Sequence, residues 1–384
     1  MKGSEKRSIN ENLYFLLIVL ITVLLISTKV TATDNTSVIN NTSVPKPKLT
    51  NTIDLSYVGR ASCIRRLAFS PDGRYLAIVD NPYPLLANII IWDLQQGREQ
   101  TRIEDLPAHA NDPKIKLLWG ADGKYITFGK SGGAGYPIQF WDPLTGRVIK
   151  EIALSSPCGS ARLNRDKSKM LMTTGDQSFQ IYNTKTWKFK DYDSEGLGII
   201  SISWTAEDKV LIAGIWPPNS AGKTLDGKKP APGDSIARLV DPTGKQPSHY
   251  VLLAGMVPSG RAVPPMEIGF WPYYAVVDFA ENKIALNYSK IIDGHTLEVI
   301  TYISDEEIKK RKNKDPFIAK VFSPDGRYLY LLVKDKESLI LDARTGKTLG
   351  RFEGGTNDIA VSPDGSQLAM GGNDNKSVNI FSIK

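Results

Sequence analysis

Internal repetition predicts an all-β fold, a ring of seven four-stranded antiparallel units: a seven-bladed β-propeller. Three observations carry it. A turn motif recurs as Phe69-Ser-Pro-Asp-Gly73, Phe322-Ser-Pro-Asp-Gly326 and Val361-Ser-Pro-Asp-Gly365, each between two apolar runs. A later run ends on an aromatic or aliphatic residue and an acid, as in Trp92-Asp93, Trp141-Asp142, Val240-Asp241 and Leu341-Asp342. After residue 50 no long stretch shows the 3.6-residue period of an amphipathic helix. Short strands repeated every 40–45 residues or so are the mark of propeller blades.

The elements follow in order. Weaker copies of the turn are Trp119-Gly-Ala-Asp-Gly123, Leu163-Asn-Arg-Asp-Lys167, Trp204-Thr-Ala-Glu-Asp208 and Phe279-Ala-Glu-Asn282. Counted at Asp72, Asp122, Asp166, Asp208, Asn282, Asp325 and Asp364, there are seven units. Asp-Gly suits the positive φ of a tight hairpin connection. A second turn follows each third strand, as in Leu144-Thr-Gly146 and Arg344-Thr-Gly346, and leads into a fourth strand such as Arg147 to Ile152. The last unit stops at its third strand, Val378 to Lys384, while a spare strand, Thr52 to Val58, precedes the first. Pairing these two would close the ring and hide both sheet edges.

Over residues 51–384 the chain resembles the WD40-repeat β-propeller family, through the three Ser-Pro-Asp-Gly turns and the Trp92-Asp93 and Trp141-Asp142 pairs. The resemblance implies architecture and says little about activity. The Gly-His pair expected before each first strand is nearly absent, with only Ala108-His109 close to it. The blades are therefore expected to rest on apolar packing without a buried His–Asp network. Asp72, Trp92, Asp93, Asp122, Trp141, Asp142, Asp325, Asp342 and Asp364 are expected to be structural residues of the repeat.

The N-terminus reads as an address. Lys2, Lys6 and Arg7 precede the apolar run Leu13 to Ile26, and small residues follow up to Ala32. That is the pattern of a secretory signal peptide. Fourteen apolar residues rise about 21 Å as a helix, short of a roughly 30 Å hydrocarbon core. An uncleaved anchor over 13–32 is the alternative, and either places the remainder outside the cytoplasm, as in a bacterial-type exported protein, periplasmic or secreted. Residues 33–50 form a polar linker with almost nothing to bury.

The 384 residues are 41% hydrophobic and 23% charged, which excludes a disordered chain. Two cysteines and three histidines exclude a disulfide framework and disfavour a multi-histidine metal centre. The net charge of +7 falls only slightly when residues 1–32 are removed, too small an excess for a nucleic-acid binder. The basic run Lys309 to Lys314 follows three acids and reads as a solvated helix.

Catalytic patterns are missing. Asn219 to Thr224 lacks the first glycine of a phosphate loop, and no Gly-x-Ser-x-Gly elbow exists. Asp191 to Gly196 begins like a calcium loop, but Ile202 stands where a bidentate acid is required. Cys63 and Cys158, one blade apart, read as free thiols, with a disulfide as the alternative. No catalytic residue, metal or cofactor is expected.

Function is instead expected on loops. Between strands two and three, blades one, two and four carry insertions with Tyr83, Tyr136, and Trp216, Lys223 and Lys228, and the link to blade five adds Arg261, Trp271 and Tyr273. By register all four emerge on one face, and exposed aromatic and cationic residues there suit a protein, a peptide or an acidic envelope polymer. The reading is a monomeric, non-catalytic extracytoplasmic scaffold, touching a membrane only through the possible anchor. The alternative is a propeller enzyme, a hydrolase, lactonase or cofactor-dependent dehydrogenase, with its site at the central channel.

Overall fold

The computed structural model describes residues 44–58, 63–83, 86–107, 117–128, 137–153, 161–174, 177–194, 196–216, 235–245, 247–252, 275–286, 290–303, 317–333 and 337–383. The expected leader, most of the linker, His109, Cys158 and the basic run 309–314 lie outside them. None of the described helices is long and apolar enough to cross a membrane.

The described strands form seven four-stranded antiparallel sheets. Six are consecutive meanders, spanning 64–107, 117–152, 161–193, 198–252, 275–302 and 317–352. The seventh contains Thr356–Val361, Gln367–Gly371 and Ser377–Ser382, and its outer position is held by Lys48–Asp54, antiparallel to Ser377–Ser382. This N-terminal strand lies four residues ahead of the span read from sequence. Asp54 accepts the Ser56 N–H at 2.8 Å and Leu55 the Val58 N–H at 3.0 Å, so the chain turns after Asp54 and residues 56–58 form a 3₁₀ turn. Only Ile53 of the strand is buried, as befits an outermost position, and with Leu55 it enters the core between blades seven and one.

The Ser-Pro-Asp-Gly turn closes itself. In blade six the Ser323 hydroxyl accepts the Tyr328 N–H at 3.0 Å and donates to Asp325 at 2.6 Å, while Asp325 accepts the Arg327 N–H at 3.1 Å. Ser362, Asp364 and Gln367 repeat the pattern in blade seven. In blade three Asn164 replaces the serine and accepts the Lys169 N–H at 2.8 Å. The acid after the third strand caps the second turn. Asp142 takes the N–H groups of Leu144 and Thr145 at 2.8 and 3.1 Å, and Asp93, Asp293 and Asp342 do the same. These aspartates are local caps, which explains their recurrence where the histidine partner is absent.

The residue closing each first turn has positive φ in all seven blades: Gly73, Gly123, Lys167, Asp208, Asn282, Gly326 and Gly365, between 53° and 72°. The same position meets the preceding blade. A Cβ on Gly73 would lie 3.9 Å from Pro363 Cδ, one on Gly123 3.9 Å from Pro71 Cδ, and one on Gly365 3.4 Å from Pro324 Cδ. Two of the three residues there that carry a side chain make a hydrogen bond across the seam. Asp208 accepts from Asn164 Nδ2 at 3.0 Å, and Asn282 accepts the Ala206 N–H at 2.9 Å. Two indoles also cross seams, Trp119 donating to the Ala68 carbonyl at 3.0 Å and Trp204 to the Arg162 carbonyl at 3.2 Å. Apolar packing between blades is thus supplemented by polar bonds, correcting the expectation from the missing histidines. A lone turn polar group has few local partners, and the neighbouring blade supplies them.

Two predictions follow from these contacts. Ile53→Ala should destabilise the protein by about 2–4 kcal/mol, as for other buried aliphatic truncations, and deleting 48–55 by more. An unchanged urea midpoint in either variant would show that the outer strand carries no stability. At Asp72 and Asp325 burial pushes the carboxyl up, but the serine hydroxyls and the arginine N–H groups outweigh it and hold it below the usual range. The Ser362 hydroxyl leads in pushing Asp364 down to about 2. A folded pKa below the unfolded one of about 4 stabilises above that pH, so stability should fall as pH drops from about 4 toward 2. Urea midpoints at pH 5, 4 and 3 check this, and Asp364→Asn should flatten the steepest, most acidic part.

Candidate functional site

Of the residues expected on the loop face, Trp216 is in the core. It is 3% exposed and packs with Trp204, Leu197 and Ile212 between blades three and four. It directly follows the strand Val210–Ile215 and prolongs its burial, so it seals a blade seam and is no exposed anchor. Tyr83 ends the strand Tyr75–Tyr83 with its backbone opposite Leu86, while its side chain lies outside the description. Tyr136, Lys223, Lys228, Arg261, Trp271 and Tyr273 also lie outside the described residues. Asp191 and Asp193 belong to the outer strand Phe189–Asp193, where Asp191 takes the Gln180 amide at 2.7 Å, so the calcium-like spacing falls on a ladder. Cys63 is a free thiol 3.7 Å from Asn357 Nδ2. Among the described residues no three of His, Cys, Asp and Glu are grouped to hold a metal.

A different site emerges where the seven first strands meet. They surround a central cavity of about 470 Å³. Two residues before each first turn begins, every blade contributes one lining residue: Ala68, Leu118, Arg162, Ser203, Val277, Val321 and Ala360. Six of these are small or aliphatic and one is arginine. Arg66 and Lys320 line it from neighbouring strand positions, 9% and 7% exposed, and Arg165 and Lys167 line it from the first turn of blade three. That turn places part of the lining at the capped-turn end of the ring.

Among the described residues, five cations line the cavity together with one carboxylate, Asp358. Asp358 is already engaged, accepting the Leu67 N–H at 2.9 Å and bracing blade seven against blade one. Two arginines are steadied by main-chain acceptors. Arg66 donates to the Arg65 carbonyl at 2.6 Å and Arg162 to the Ala161 carbonyl at 2.7 Å. Burial pushes the Lys167 amine below its usual range, with Asp122 pulling weakly the other way. The arrangement suits electrostatic binding of oxyanions.

Sequence reasoning passed over these cations because Arg66, Arg162 and Lys320 stand within short apolar runs, where a charge reads as the solvated side of an alternating strand. The usable signal was register: the position two residues before each first turn lines the channel in all seven blades.

No protein-family model matches the chain, and no curated protein matches it significantly. Among solved structures, it is similar to the β-propeller domain of Cps50 (Swd1) from Myceliophteria thermophila, with a TM-score of 0.60 and 15% identity. The match covers 88% of this chain and 100% of that one. At that identity the likeness concerns the fold alone, a β-propeller.

Proposed function

We propose that the chain is an exported, non-catalytic binding scaffold, a WD40-like monomer that holds a protein, peptide or acidic envelope polymer outside the cytoplasm. The observation that carries the reading is the pairing of a seam-locked ring with long sequence insertions at one end of its strands. Residues 217–234 join strands Val210–Ile215 and Ser235–Val240, and 253–274 join blade four to blade five. Antiparallel order sends such connections to the end away from the capped turns. Long loops on a rigid frame are where recognition residues concentrate, and propellers commonly serve as protein-interaction scaffolds. The same reading makes Lys48–Asp54 the clasp that completes the ring by giving the last blade its fourth strand. Residues 1–32 are read as a cleaved signal peptide.

Replacing 217–233 by a short Gly-Ser turn, with the buried Trp216 retained, should leave the melting temperature unchanged and abolish capture of the wild-type partners from the native envelope. Retention of the same partners would remove this loop from the site. For the address, fractionation and N-terminal sequencing should find a chain beginning near Thr33 outside the cytoplasm. An intact N-terminus in the membrane pellet would make residues 13–32 an anchor, and recovery from the cytoplasm would overturn export.

A further inference from the structure

Blade three departs from the other six at three positions, each departure is a cation, and all three of these cations line the channel. Two residues before its first turn it has Arg162, where the others have Ala68, Leu118, Ser203, Val277, Val321 and Ala360. At the turn's second residue it has Arg165, where the others have proline or alanine. At the positive-φ position it has Lys167, where the others have glycine, Asp208 or Asn282. Asp208 and Asn282 offset the cost of that backbone with bonds across the seam, and Asp and Asn visit it more readily than other residues with a side chain, whereas a lysine gains nothing comparable from it. Strained residues held in place by their surroundings concentrate where a ligand is met.

We infer that the capped-turn end of the central channel is an anion site of small-molecule size, taking a compact ligand with two or more carboxylate or phosphate groups on a short apolar frame. The volume of about 470 Å³ falls within the usual range for small-ligand sites, roughly 300–1,000 Å³. Arg66, Arg162 and Arg165 offer planar forks suited to oxyanions, and Lys167 and Lys320 add point charges. Ala68, Val277, Val321 and Ala360 supply an apolar wall for the frame. The lining closes around from all seven blades, which favours a whole small molecule over an extended polymer. An anion beside Lys167 would also offset the burial that now disfavours its charged form. The site uses none of the insertions, so it stands or falls independently of the loop-face scaffold reading.

The test is isothermal calorimetry of the full chain with inorganic pyrophosphate and with tricarballylate, at constant ionic strength. Saturable one-to-one binding is expected, with affinity at least about tenfold weaker in Arg165→Gln and in Lys167→Gly, since each loses a charge-assisted contact. Lys167→Gly is the guarded variant. Glycine adopts the positive φ freely, so its melting temperature without ligand should stay level or rise, and weakened binding cannot be ascribed to unfolding. Absence of saturable binding by both anions, or equal affinity in the variants, would overturn the proposal. Binding of a hepta-glutamate peptide without binding of either small anion would also overturn it, in favour of an acidic chain threaded into the ring.

Discussion

The left-handed residue that closes each first turn is the constraint on which the rest of the structure hangs. It lets the hairpin of strands one and two reverse within four residues, and it meets the turn of the preceding blade. Glycine satisfies both demands by lacking a side chain, since at Gly326 a methyl would overlap the Asp278 carboxylate. Asp208 and Asn282 satisfy them by spending their side chains on the neighbour. Backbone conformation and blade packing are thereby one requirement, imposed seven times.

The second turns show the same economy with more strain. Their left-handed position is glycine at residues 97, 146, 244 and 346, but Trp187 and Leu297 hold φ of 59° and 61° in blades three and five. Each is kept there by burial on a neighbour. Trp187 lies 4.5 Å from the Phe140 ring of blade two, and Leu297 is 1% exposed among Leu211, Leu239 and Ile284. An aromatic or aliphatic payload can outweigh a backbone cost of about 1–2 kcal/mol.

The blade count, both families of turn and the packing of Trp92 and Trp141 were legible in the sequence because each rests on contacts within about ten residues or on plain hydrophobicity. The start of the outer strand was misplaced by four residues because that strand buries only Ile53 and has almost no alternation to read. Trp216 was misread because proline and glycine just beyond it suggested a loop, while the strand before it extends its burial. The channel was hidden for another reason. Its cations come from different blades, Arg66 and Lys320 more than 250 residues apart, and only ring geometry brings them together.

Because each left-handed residue is matched to the turn before it, the unit that must be inherited intact is the seam and not the blade. Pro363 faces Gly73, Pro71 faces Gly123 and Pro324 faces Gly365, whereas Asn164 faces Asp208 and Ala206 faces Asn282. Moving a blade whole would leave two mismatched joints, one on each flank. Cutting through the middle of blades, between strands two and three, changes nothing, because both partners of every joint sit in first turns and a segment one repeat long carries only one of them. A chimera keeps a joint only where the exchanged segment spans two or more consecutive first turns, so longer runs of blades lose fewer joints per residue exchanged.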